Sequence, residues 1–142
     1  MRIADVLRNK GGAVATITPE TSVSDLLTEL AEHNIGAMVV VSAESLVGIV
    51  SERDVVRKLH EHGADLLTLP VSEIMTTMVA TCAPSDTVNH LNAVMTTKRV
   101  RHIPVLENGR LVGIVSIGDV VKQRMDEMET EQRALQDYIT RG

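Results

Sequence analysis

The chain repeats itself, and that constrains it more than any other feature. Shifted by 65 residues, Val14–Leu59 lies on Val79–Arg124 without a gap, and 16 of the 46 aligned positions are identical. Val14-Ala15-Thr16 falls on Val79-Ala80-Thr81, and Pro19 falls on Pro84. The longest block is Leu46-Val47-Gly48-Ile49-Val50-Ser51, repeated as Leu111-Val112-Gly113-Ile114-Val115-Ser116. Asp54-Val55-Val56 then returns as Asp119-Val120-Val121. Upstream, Ile3-Ala4-Asp5-Val6-Leu7 resembles Val71-Ser72-Glu73-Ile74-Met75, with extra residues near Lys10-Gly11-Gly12, where the glycine pair reads as a turn. A period of this length makes each copy one supersecondary unit that needs its neighbour.

Both copies read alike. A short extended piece (Ala15–Ile17, Ala80–Cys82) precedes a proline and a polar cap. A helix follows, with Val23, Leu26, Leu27, Leu30 and Ala31 on one stripe in the first copy and Val88, Leu91 and Met95 in the second. Next come two short apolar runs, Ala37–Val41 with Leu46–Val50 and Ile103–Leu106 with Leu111–Val115. They are rich in β-branched residues and divided by turn-formers such as Asn108-Gly109, so they read as hairpins. A second helix starts after Ser51 and after Ser116. The fold class expected is α/β in the α+β sense: two tandem β-α-β-β-α repeats packed as one pseudo-twofold module around a shared core. Residues 1–65 form the first repeat, 66–125 the second, and 126–142 a helical tail. On that tail Val121, Met125, Met128, Leu135 and Ile139 make a heptad-like stripe. It suits either packing on its own domain or a dimer contact.

Composition narrows the function. The core must be aliphatic, because Trp and Phe are absent and Tyr138 is the one aromatic residue. A net charge of −5 argues against gripping a nucleic-acid backbone, and the aromatic platforms for stacked bases are missing. Cys82 is the one cysteine, which leaves no intramolecular disulfide and no Cys-rich metal site. With no apolar run of about 18 residues and no signal-like N-terminus, the expectation is a cytoplasmic protein without a membrane span. His60-Glu61-His62 points its two imidazoles apart on a helix and carries no metal expectation.

The heptapeptide Gly-Ile-Val-Ser-x-x-Asp stands twice, at Gly48–Asp54 and Gly113–Asp119. Serine at a strand-to-helix junction is an N-cap, and the acid three residues on completes a capping box. The same geometry suits a nucleotide. Free N–H groups at a helix start attract phosphate, and a carboxylate can hold a ribose diol. Gly48 and Gly113 would then leave room for close backbone approach. Structural and functional readings both stand on these residues alone.

The repeat resembles the CBS (cystathionine-β-synthase) domain, and the chain resembles the tandem pair called a Bateman module. The resemblance rests on Thr16-Ile17-Thr18-Pro19 and Thr81-Cys82-Ala83-Pro84, on Arg101-His102-Ile103-Pro104-Val105, and on both Ser-x-x-Asp blocks. Asn34–Ala37, Ser51–Asp54, Lys98–His102 and Ser116–Asp119 match the small stand-alone bacterial pairs. The resemblance implies a cleft with two nucleotide positions that take AMP, ADP, ATP, S-adenosylmethionine or NAD(H), without a metal. It also implies a homodimer and a regulated partner protein, with no catalysis. Asp54 and Asp119 would hold ribose hydroxyls, and Ser51 and Ser116 would touch phosphate or ribose. Thr16, Thr18, Thr81 and Ala83 would flank the base. Gly36, Ala37 and Met38, and Arg101, His102, Ile103 and Pro104, would line the other wall. Arg53 in one copy, and Arg101 and His102 with Arg99 and Lys98 in the other, would read phosphate, so the two positions should differ in ligand or strength. His102 suits ligand contact or hairpin packing equally. The competing expectations are a nucleotide-independent dimeric scaffold and an enzyme acting on a nucleotide, the latter disfavoured because no base–nucleophile pair is evident.

Overall fold

The computed structural model describes residues 1–11 and 14–141, so Gly12 of the expected glycine turn lies outside it. In chain order the elements are α1 (Ile3–Lys10), β1 (Thr16–Ile17), α2 (Val23–His33), β2 (Ala37–Ser42), β3 (Ser45–Ser51) and α3 (Glu52–His62). Two 3-10 turns, Gly63–Thr68 and Val71–Glu73, lead to α4 (Val88–Lys98), β4 (His102–Glu107), β5 (Arg110–Ser116) and α5 (Ile117–Arg141). β1 pairs parallel with β2, which pairs antiparallel with β3, while β4 and β5 form the matching antiparallel hairpin.

Local chemistry explains why the elements start and stop there. Ser22 and Thr87 cap α2 and α4 by accepting the backbone N–H groups of Asp25 and His90, both at 3.1 Å. Both helices end on a left-handed residue, Asn34 (φ 52°) and its repeat-mate Arg99 (φ 55°). The hairpins turn on Ala43-Glu44 and Asn108-Gly109, with positive φ at all four residues, as a tight two-residue hairpin demands. The apolar stripe of α2 is narrower than its sequence suggests. Val23, Leu26 and Leu30 are buried, but Leu27 and Ala31 face outward.

Two expectations change. The extended piece Ala80–Cys82 contracts to one bridge, in which Cys82 N–H donates to Pro104 O at 3.0 Å and Leu106 N–H donates to Cys82 O at 2.8 Å. Pro104 stands where β2 has Val39, and its ring nitrogen has no hydrogen to extend that ladder. The core is also two cores rather than one shared one. Ile17, Leu26, Met38, Val40 and Val50 pack with Leu66, Val71 and Ile74, whereas Leu91, Ile103, Val105 and Val115 pack with Ile3 and Val6. The chain's first helix therefore completes the core of the second repeat, and the segment after α3 completes that of the first. Leu7 presses on Gly113 and Met75 on Gly48. A Cβ at Gly113 would meet Leu7 Cδ2 at 2.5 Å, and one at Gly48 would meet Met75 Sδ at 2.7 Å. The space at these two glycines is filled by the protein's own side chains.

Candidate functional site: a cavity between the repeats

β3 ends where α3 begins, and Ser51 makes the junction. Its Oγ accepts the Asp54 backbone N–H at 3.3 Å, while its own N–H and Oγ–H donate to Asp54 Oδ2 at 2.8 and 3.1 Å. Ser116 and Asp119 repeat this at the start of α5, with 2.8, 3.0 and 3.3 Å. The structural reading of the motif is thus present in full. It consumes only Oδ2 of each carboxylate. Oδ1 of Asp54 and of Asp119 has no hydrogen-bond partner among the described residues, so each remains an acceptor for an outside donor.

Asp54 opens onto a cavity of about 580 Å³ between the two repeats, within the size range of small-molecule sites. Ser51, Arg53 and Asp54 come from the first motif, and Gly36 and Ala37 from the start of β2. Arg99, Arg101 and His102 come from the opposite hairpin. The site is therefore composite: the motif of one repeat faces the hairpin entry of the other. Arginine dominates its charge, since Arg53, Arg57, Arg99 and Arg101 line it against the carboxylates of Glu52 and Asp54. Gly36 is where the repeats come close. A Cβ there would lie 2.9 Å from Glu52 Oε1 and 3.7 Å from His102 Cε1. His102 is half-buried; burial first, and then the Lys10 charge, push its pKa below 6.5, against the pull of Asp119 and Glu52.

Other residues singled out in the sequence lie elsewhere. Met38 and Ile103 occupy equivalent positions and are sealed in the two cores at 1% and 0% exposure, and Pro104 is buried beside Ile103. Thr16, Thr18 and Thr81 are exposed and lie outside this cavity; Thr18 is engaged with Thr21 at 3.1 Å. Ala83 lines a shallow groove beside Arg2 and Arg8 instead. The wall expected from Thr81–Ala83 is supplied by Met78, Val79 and Ala80, just upstream, with Ile49, Thr76 and Val56. Arg57 joins them one helical turn after Arg53, a spacing the sequence carries. Of the three methionines suited by sequence to pack on a purine, Met38, Met75 and Met78, only Met78 lines the cavity, and it is 92% exposed.

Ser116 and Asp119 do not line this cavity. At the second motif Lys10, from the last turn of α1, reaches across, and its Nζ donates to Asp119 Oδ2 and to Ile114 O, both at 2.8 Å. Burial works to raise the pKa of Asp119, but the Lys10 and Ser116 hydrogen bonds outweigh it and hold the carboxyl below its ordinary value. Cys82 is buried, and burial with the nearby Asp86 charge pushes its thiol up to about 12, the reverse of a reactive cysteine. Among the described residues no three His, Cys, Asp or Glu side chains gather as a metal site, and no helix is long and apolar enough to cross a membrane.

Comparison with known proteins decides the family. The CBS domain matches twice, over residues 3–61 and 71–126, which takes in most of the chain. The chain is a member of the CBS domain family. Among solved structures, this CBS pair superposes on the CBS-domain protein ATU1752 of Agrobacterium tumefaciens with a TM-score of 0.85 and 44% identity, covering 87% of this chain and 99% of that one. It is 36% identical to the mitochondrial CBS domain-containing protein CBSX3 of Arabidopsis thaliana, over 99% of this chain and 72% of that one. The CBS domain pair of protein MJ0100, solved in complex with 5-methylthioadenosine and S-adenosylmethionine, superposes with a TM-score of 0.80 at 25% identity, covering 89% and 98% of the two chains.

Proposed function

We propose that this CBS pair is a regulatory module that binds a phosphorylated adenine nucleotide (AMP, ADP, ATP or NAD(H)) and performs no chemistry of its own. The carrying observation is the cavity at Asp54: a carboxylate oxygen left free by a complete helix cap, ringed by four arginines at the joint between two repeats. The free oxygen suits a ribose hydroxyl, and the arginines suit phosphate. Protein MJ0100 supports an adenosine-containing ligand for this fold. The excess of arginine here favours an anionic nucleotide over a neutral thioether or a cationic sulfonium. A ligand bound at the joint contacts both repeats and so biases their relative placement, which is how such a module would act on a partner protein.

The second position lies at Asp119, and its surroundings differ enough that the two positions should differ in strength. Assembly as a homodimer is supported by the apolar residues that α5 leaves outside both cores: Val121, Met125 and Met128, each more than half exposed. The same face favours the competing scaffold reading, in which the dimer works without ligand. A cytoplasmic setting is consistent with one buried cysteine and no disulfide.

A thermal-shift series separates these readings. A ligand at 100 times its Kd adds about 2.7 kcal/mol, on the order of 8 °C for a domain of this size. ATP, ADP, AMP or NAD should raise the melting temperature. Asp54→Asn should reduce the shift, because asparagine keeps a carbonyl oxygen for the cap but places a donor where Oδ1 was. No shift with any of the four leaves the scaffold reading.

A further inference from the structure

The two repeats satisfy one equivalent carbonyl in different ways. On β3, Ile49 O accepts the backbone N–H of Thr76 at 2.9 Å, and Ile49 N–H donates to Thr76 O at 3.0 Å. On β5, the carbonyl of the matching Ile114 accepts the ammonium of Lys10 at 2.8 Å, and the same ammonium reaches Asp119 Oδ2. The cause lies in the preceding segments. Val71–Glu73 is a single 3-10 turn, after which the chain runs out beside β3, whereas α1 stays helical for 8 residues and brings a lysine side chain to the place of a backbone bridge.

The second motif also lacks a cation that the first has. Arg53 lines the Asp54 cavity, and its equivalent after Ser116 is Gly118. We propose that Lys10 is a specificity-determining residue of the second nucleotide position, delivering from α1 the positive charge that α5 lacks at Gly118. The inference rests on the nucleotide reading above. Three observations favour a ligand contact over a plug. Lys10 bonds to Oδ2, the oxygen already committed to the cap, and leaves Oδ1 of Asp119 open for a ribose hydroxyl. An ammonium has three hydrogens; two are engaged here, and the third has no partner among the described residues. The Lys10 side chain keeps 36% exposure, so it is reachable from outside. Asp119 Oδ2 also accepts from Ser116, so the ammonium sits beside the helix start where a 5′-phosphate would rest.

The test uses the full chain in an Asp54→Asn background, which weakens the first position, with ATP and adenosine as probes in calorimetric titrations. Adding Lys10→Met keeps the aliphatic stem and removes the charge. ATP affinity should fall about tenfold or more, the usual size of a lost charge-assisted bond, while adenosine affinity changes less than about twofold. Lys10→Arg should restore much of the ATP affinity, which a purely structural role does not predict. An equal loss for both probes would make Lys10 a structural tie. A gain in ATP affinity would make it a plug. Either result overturns the proposal. If Lys10→Met melts well below the parent, Lys10→Gln replaces it in the same comparison. ATP that binds the unsubstituted protein at the Asp54 position alone overturns this inference and leaves the nucleotide reading intact. ATP that binds nowhere overturns both.

Discussion

The surroundings of His102 disfavour its charged form, and the cavity it lines sets four arginines against two carboxylates. Its pKa lies below 6.5 because burial disfavours the imidazolium and Lys10 repels it. Below pH 6.5 the unfolded chain takes up the proton first, so this group's contribution to stability is complete above that pH. It is lost as pH falls through the lower folded value. A bound phosphate reverses the electrostatics and draws a proton onto His102. Nucleotide binding is therefore expected to be accompanied by proton uptake as the pH falls toward 6.5 and below, and to tighten in that direction. Calorimetry in buffers of different ionisation enthalpy measures the uptake, which should disappear in His102→Asn. Binding with no proton uptake would show that the phosphate lies away from His102. Sequence alone pointed to His102, Arg101, Ser51 and Asp54, which line this cavity, because they sit on the repeated junction or on the hairpin entry beside it. It could not place Met38 or Ile103. On a strand, alternate side chains point opposite ways, and with both cores unknown nothing said that Ala37 and His102 face the cavity while their neighbours are sealed inside.

The hairpins and helices carry their instructions locally, and they were the more legible for it. The Asn108-Gly109 turn announces itself. Its counterpart, Ala43-Glu44, adopts positive φ at two ordinary residues and is legible only through the repeat. The opposite holds for contacts between elements. That Gly48 and Gly113 receive Met75 and Leu7 needs the three-dimensional path of segments far away in the chain, which no local pattern contains. Gly48→Ala is expected to destabilise the protein by about 1–3 kcal/mol, because its Cβ would lie 3.0 Å from the Thr76 carbonyl, a backbone atom that cannot swing aside. At Gly113 the three nearest atoms all belong to the Leu7 side chain, which can swing aside, so Gly113→Ala should cost less. Urea denaturation of both variants checks the order; equal midpoints for Gly48→Ala and the parent protein would contradict this packing.

Across the whole molecule, the repeats are tied by exchange of segments as well as by their facing hairpins. Ile3 is 0% exposed within the second core although it lies at the start of the first repeat, so the first helix crosses to the other unit. Ile3→Ala should cost about 2–5 kcal/mol, with hydrogen exchange accelerating first in α4, β4 and β5. Acceleration confined to β1, β2 and β3 would contradict the exchange. The repeat predicted two equivalent units, but the crossing was hidden because Ile3–Leu7 and Val71–Met75 look alike and either could serve either core. The tail follows α5 without a break to Arg141, and apart from its first turns it packs on neither core. Its apolar stripe was legible in the sequence, whereas that the stripe packs on neither core was not. The joint between the repeats is where ligand and regulation would meet, so the direct test is there. Calorimetric titration of ATP into the unsubstituted protein and into Asp54→Asn measures it. The account predicts binding that Asp54→Asn weakens by about tenfold or more at one position, the scale of a hydrogen bond to a charged group, with the melting temperature of the free protein little changed. Equal affinity in the two proteins would contradict it, because the free oxygen of Asp54 would then hold nothing.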